Sequence, residues 1–173
     1  MARIAIDMDG VMADTTQQFI DYYAKKYGVE VNRETLNGQP EASGFPHDKE
    51  IIRSFLFEPG FFRTKVVIKD SQEIIKALCE KHEVFIVSAA IEFPTSLNEK
   101  LEWLEEHYPF ISWQNIVFCG SKTIVQADYM IDDHVKNLQH FKGEAIMFTA
   151  PHNINVTGYK RVDTWQEVGA LLL

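Results

Sequence analysis

The sequence predicts an α/β protein: a parallel sheet flanked by helices, with a small helical cap inserted after the first strand. Three observations predict it. Short apolar runs bounded by polar or glycine residues alternate with stretches of helical periodicity. Two carboxylates, Asp7 and Asp9, stand where the first run gives way to a turn at Gly10. The gap between the first two runs is also far longer than one crossover connection requires.

Taken in order, residues 3–7 form the first strand-like run, followed by 83–88, 115–118, 128–131 and 144–148. Each is short and nearly continuously apolar, as a parallel strand buried on both faces should be. Residues 71–82 carry Ile74, Ile75 and Leu78, and residues 94–107 carry Leu97, Leu101 and Leu104, both at helical spacing. Residues 164–172 read as a closing helix, with Asp163 or Thr164 near its cap. Strands alternating with helices imply right-handed crossovers.

Asp7 and Ser88 lie 81 positions apart, whereas a βαβ unit needs about 30 residues. The surplus, residues 15–69, has its own helical start at 16–27 with Phe19, Tyr22 and Tyr23, then a turn-rich middle, then aromatics at Phe55, Phe57, Phe61 and Phe62. It reads as a cap domain, leaving 1–14 and 70–173 as the core domain. A cap inserted there sits over the C-terminal edge of the sheet, where α/β proteins bind ligands.

The 173 residues are 46% hydrophobic, enough for one substantial core. A net charge of −8 without a basic block argues against nucleic-acid polymers as partners. It leaves room for a small anionic substrate, because a lysine and a metal ion make a local positive site. No apolar run is long enough for a membrane helix, and the start shows no signal-peptide pattern, so a cytoplasmic protein is expected. Cys79 and Cys119 lie 40 residues apart in apolar surroundings and read as reduced core residues.

Four small motifs fall at or just after strand ends: Asp7-x-Asp9-Gly10, Ser88, Lys122 within Cys119-Gly120-Ser121-Lys122-Thr123, and Asp132-Asp133. Taken alone, each has a bland reading: a turn, a strand-end hydroxyl, a surface lysine, a solvated strand end. In a parallel sheet all four converge on one edge. There carboxylates suit a hard cation such as Mg²⁺, while a hydroxyl and an ammonium suit phosphate oxygens. The histidines show no metal-ligand spacing, and His134 and His152 are the two expected near this edge.

This set, in this order, resembles the haloacid dehalogenase superfamily of phosphotransferases, across essentially the whole chain. The runs Asp7-Met8-Asp9-Gly10-Val11-Met12-Ala13-Asp14, Phe61-Phe62-Arg63, Ser121 to Asp128, Ile131-Asp132-Asp133 and Thr149 to Asn153 look like the 5'(3')-deoxyribonucleotidase family. The resemblance implies a Rossmann-like core and a Mg²⁺-dependent phosphomonoesterase acting on a small phosphorylated substrate, a deoxyribonucleoside monophosphate. It implies Asp7 as nucleophile, forming an aspartyl-phosphate, and Asp9 as acid and then base. Asp7, the Asp9 backbone carbonyl and Asp132 would bind Mg²⁺, with Asp133 supporting them, and Ser88 and Lys122 would hold the phosphoryl group. Partial burial of Asp9 under the cap should raise its pKa, so that it carries a proton. Family members are often dimeric, which makes a homodimer an expectation.

The chain departs from the family at Thr15, where better-known members carry an aromatic that packs on the nucleobase, and at Ala89-Ala90, where they carry a hydroxyl and a proline. Thr15, Phe61 and Phe62 are therefore the candidate substrate-pocket residues. Competing readings are a phosphatase for another small metabolite such as a sugar phosphate, a phospho-acceptor signalling domain, and a binding domain without turnover. Receiver domains carry their phosphorylated Asp on a central strand rather than the first, and lack the large insertion.

Overall fold

The computed structural model describes all residues 1–173. Six strands form one sheet: β1 (Arg3–Ile6), β2 (Glu83–Ser88), β3 (Ile116–Phe118), β4 (Tyr129–Asp132), β5 (Glu144–Phe148) and β6 (Lys160–Val162). Their spatial order is β3-β2-β1-β4-β5-β6, and every pairing is parallel. The helices are α1 (Thr15–Tyr27), α2 (Lys49–Arg53), α3 (Ser71–Lys81), α4 (Ser96–His107), α5 (Val135–Leu138) and α6 (Trp165–Leu172). In this order the chain switches from adding strands on one side of β1 to adding them on the other, and a crevice forms outside the strand ends at β1 and β4.

Alternation along each strand sends successive side chains to opposite faces. Ile4, Ile6, Val84, Ile86, Ile131, Ile146 and Phe148 pack against Ile74, Ile75 and Leu78 of α3, Trp103 and Leu104 of α4, and Trp165 and Val168 of α6. The other face carries Ala5, Val87, Met130 and Met147, covered by Leu138 of short α5 and by loop residues including Val125, Phe141 and Tyr159.

Residues between the first strand and α3 build a second hydrophobic cluster. Asp14 caps α1 by accepting from the Gln17 N–H at 2.9 Å, and Gly28 ends the helix at φ +66°. Phe19, Ile20 and Tyr23 of α1 pack with Leu36, Phe45, Ile52, Phe55, Leu56, Phe61 and Phe62. Phe57 is 56% exposed and only edges against Phe93. The chain leaves and returns through a two-sided link: the Asp14 N–H donates to the Val66 carbonyl and the Ile68 N–H to the Met12 carbonyl, each at 2.8 Å.

Two expectations need correction. The inward stripe of α4 is Ser96, Lys100, Trp103 and Leu104, not Leu97, Leu101 and Leu104; Leu101 is 36% exposed. A lysine takes an apolar register because its ammonium meets a carboxylate at the sheet edge, as described below. Strand β6 carries no apolar run that would mark it: it is a three-residue edge strand whose pairing comes from β5 rather than from its own composition. Cys79 and Cys119 are free thiols, as expected.

Candidate active site

Asp7 follows β1 directly, and its N–H donates to the Ile131 carbonyl of β4 at 2.9 Å, so the ladder continues through it. Its carboxylate is buried beside Asp132, the last residue of β4. Lys122, in the loop after β3, inserts its ammonium between them; it donates to Asp7 and, at 2.6 Å, to Asp132 Oδ2. The Lys122 side chain is 2% exposed. Burial alone would lower the Lys122 pKa, but the two carboxylates reverse this and raise it. For Asp7, burial dominates; with help from Asp132 and Asp9 and against Lys122, it pushes the pKa up to about 6.

Asp132 is further fixed by the His134 N–H at 2.8 Å and by Asn137 Nδ2, 3.0 Å from each carboxylate oxygen. Asp133 is 2% exposed, and its Oδ1 has no hydrogen-bond partner. Burial, reinforced by Asp7 and Asp132, holds its pKa well above the ordinary value. Gly10 makes room for this group: its φ is +77°, and a Cβ there would lie 2.1 Å from Asp133 Oδ2. Ligand oxygens of Asp7, Asp132 and Asp133 lie within 4.8 Å of one another. Three carboxylates, one of them with an orphaned buried oxygen, fit a hard divalent cation.

Asp9 turns the other way. Its Oδ1 accepts from Lys65 Nζ at 2.7 Å and its Oδ2 from Lys100 Nζ at 2.5 Å. Lys100 also donates to Ser88 Oγ at 2.9 Å, so a single ammonium joins the end of β2 to Asp9. The expectation of a raised Asp9 pKa is overturned. Burial does push it up, but Lys100 and Lys65 outweigh burial and hold Asp9 well below the usual carboxylate range. Burial next to Lys100 in turn lowers the Lys65 pKa, against the pull of Asp9.

These groups line one cleft between the cluster of residues 15–69 and the sheet edge. Its walls include Asp7, Asp9, Lys100 and Lys122 on the sheet side, and Thr15, Arg53, Leu56, Phe62 and Lys65 opposite. Ser88 is reached through Lys100. Of the expected pocket residues, Thr15 and Phe62 line the cleft. Phe61 does not: it packs 5.0 Å from Phe19 and 5.1 Å from Tyr22, inside the second hydrophobic cluster.

Sequence reading missed Lys65, Lys100, Asn137 and Glu41. Lys100 carried a signal, since it stands three residues before Trp103 and four after Ser96, on a helix face otherwise buried. Behind Asp133, the rings of His134 and His152 stack with centroids 4.3 Å apart, and His152 Nε2 donates to the Asp133 carbonyl at 3.1 Å. Glu41 approaches His134 Nε2 at 3.9 Å. Burial would depress the His134 pKa, but Asp133 and Glu41 lift it to about 10. The ligand atoms of Glu41, His134 and His152 also lie within 4.8 Å of one another, a grouping that sequence spacing does not reveal.

A parallel sheet of this order, with acidic groups, a lysine and a serine at its C-terminal edge beneath an inserted helical segment, is a haloacid dehalogenase-like fold. Solved structures agree on the fold. A haloacid dehalogenase-like hydrolase of Streptococcus pneumoniae superposes with a TM-score of 0.63 at 15% identity, covering 100% of this chain and 99% of that one. The haloacid dehalogenase-type hydrolase YfnB of Bacillus subtilis, solved bound to magnesium, gives 0.59 at 11% identity, covering 98% and 97%. The family model for 5' nucleotidase, deoxy (pyrimidine), cytosolic type C protein matches residues 1–173. The chain belongs to this family and is a hydrolase of the nucleotidase type. The 5'(3')-deoxyribonucleotidase of Bacillus subtilis is 38% identical over 170 residues, 98% of each chain. A Staphylococcus aureus relative is 46% identical over 165 residues, 95% of this chain and 92% of that one. No helix is long and apolar enough to cross a membrane.

Proposed function

We propose that this protein is a Mg²⁺-dependent phosphomonoesterase that dephosphorylates deoxyribonucleoside monophosphates through an aspartyl-phosphate on Asp7. The observation that carries the reading is that Asp7, Asp9 and Lys122 line one cleft at the end of the sheet, with Ser88 joined to it through Lys100 and Asp132 through Lys122. The names of the relatives supply the substrate class. In this reading residues 15–69 form the cap and 1–14 with 70–173 the core.

Asp7 is the nucleophile. Its carboxylate oxygen bonds to phosphorus while the ester P–O bond breaks, and Asp9 gives a proton to the leaving alkoxide. Water then attacks the same phosphorus, Asp9 takes its proton, and the bond to Asp7 breaks. Asp7, the Asp9 carbonyl and Asp132 would hold the metal, with Asp133 beside them; when bound, Mg²⁺ supplies positive charge to the phosphoryl oxygens. Lys122 and Ser88 take the remaining oxygens, an electrostatic task in a buried setting. Asp9 as found is ionised, the form suited to the second step. An arriving phosphoryl dianion competes with Asp9 for Lys100, and losing one cation moves Asp9 towards the protonated form the first step needs.

The test is phosphate release from 5'- and 3'-deoxynucleotides, ribonucleotides, sugar phosphates and an aryl phosphate, with Mg²⁺ and with chelator. Selective, Mg²⁺-dependent turnover of deoxynucleotides is expected. Turnover confined to sugar or aryl phosphates would discard the nucleotide, and full activity in chelator would discard the metal.

A further inference from the structure

Lys65 is unusual among the cleft residues. Its side chain is fully buried, yet its ammonium stands at the cleft wall. It meets Asp9 Oδ1 at 2.7 Å and Thr15 Oγ1 at 3.0 Å, and lies 4.4 Å from the centre of the Phe62 ring. Thr15 is itself buried, at the first position of α1. Neutralising Asp9 does not by itself explain Lys65, because Lys100 already contacts the other Asp9 oxygen at 2.5 Å. A second buried ammonium carries a desolvation cost that a leucine or methionine would avoid.

Position suggests what it does. The phosphoryl group is held on the sheet side by Ser88 and Lys122, so the leaving group extends from Asp9 towards the opposite wall. If Asp9 protonates the ester oxygen, Lys65 Nζ, 2.7 Å from Asp9 Oδ1, would stand beside the first atoms of the leaving group. An ammonium has three N–H donors, and the two contacts above leave one uncommitted. That donor would suit an oxygen on the carbon next to the ester-bearing carbon, and Thr15 Oγ1 stands alongside at 3.0 Å.

We infer that Lys65, oriented by Thr15, is a specificity-determining residue that hydrogen-bonds an acceptor oxygen of the leaving group adjacent to the scissile ester. In a deoxynucleoside 5'-monophosphate that oxygen is the furanose ring oxygen. The inference rests on the nucleotidase reading above and adds to it: selection here is by a polar contact at the sugar. A buried donor discriminates sharply against a ligand that leaves it unpaired.

The test compares thymidine 5'-monophosphate with its carbocyclic analogue, in which the ring oxygen is a methylene, using wild type, Lys65→Met, Lys65→Arg and Thr15→Val. Wild type should prefer the natural nucleotide by about tenfold or more in kcat/KM. Lys65→Met should bring the ratio close to unity, Lys65→Arg should restore most of it, and Thr15→Val should fall between. A purely structural role for Lys65 would lower both rates together and keep the ratio, which overturns the inference; so does a wild-type ratio near unity. Should Lys65→Met not fold, the Thr15→Val and Lys65→Arg ratios decide the matter. Failure of wild type to hydrolyse thymidine 5'-monophosphate, with an aryl phosphate still hydrolysed, overturns the nucleotide reading and this inference with it.

Discussion

In the floor under the cleft, Asp7, Ser88 and Asp132 stand at the ends of β1, β2 and β4, placed by the ladder itself, and of these Asp7 lines the cleft directly. On its roof, Thr15, Arg53, Phe62 and Lys65 come from a helix start, a short helix end and an irregular return segment. The floor pairs its charges inward, with Lys122 between two buried carboxylates. The roof's Arg53–Glu92 pair, at 2.5 Å, keeps about two-fifths of each side chain exposed. The difference teaches how one scaffold separates reaction from choice. In the proposed reading, strand ends would hold the groups that every phosphomonoester needs, and the inserted segment those that tell one leaving group from another.

The most direct way to break this comparison is Asp7→Asn. If the floor carries the chemistry, activity should fall by about a thousandfold or more, while the thermal midpoint stays near that of wild type. Residual activity above about a hundredth in a clean preparation would end the nucleophile assignment. Next is Lys122→Met, which leaves Asp7 and Asp132 facing each other without a cation. Urea unfolding should show a loss of about 3 kcal/mol or more. Added Mg²⁺ should recover more stability in this variant than in wild type; an equal Mg²⁺ effect in both would separate Lys122 from the metal cluster.

The roof responds differently. Ile52→Val in the second cluster and Ile86→Val on β2 each remove one buried methylene and should each cost about 1 kcal/mol. Hydrogen exchange should then distinguish them: faster exchange confined to residues 15–69 for the first, and spread through the sheet for the second. Identical patterns would mean that roof and floor open as one unit. The smallest effect is Arg53→Ala. Its exposed pair should contribute no more than about 0.5 kcal/mol to stability. The variant should act on KM for nucleotides and leave the aryl phosphate largely untouched; equal changes for both substrates would remove Arg53 from the leaving-group wall.

The same contrast explains what the sequence made legible. Strand ends are marked by apolar runs, so Asp7, Ser88 and Asp132 could be assigned to one edge before any coordinates, and Lys122 joined them through its local run. Lys65 and Lys100 could not. Lysine is ordinarily a surface residue, and the partner that makes each one buried, Asp9, lies 56 and 91 positions away. The lowered Asp9 pKa follows from those long-range contacts and was misjudged for the same reason. On α4 a strict leucine pattern pointed to a face one residue off, because the buried stripe holds a lysine and a serine. Phe61 and Phe62 are neighbours in sequence, yet only one faces the cleft, and no local pattern distinguishes them.

Helix α4 has one more consequence. Lys100 holds Asp9, and the preceding residue, Glu99, accepts from the main-chain N–H groups of Gly60, Phe62 and Arg63 at 2.6, 3.0 and 3.2 Å. Two residues further on than Lys100, Glu102 takes the Arg63 guanidinium at 3.3 Å. Mechanically, one turn of the helix clamps the return segment and Asp9 with adjacent residues. A force that lifts the return segment off α4 is felt one residue along, by the ammonium that holds Asp9.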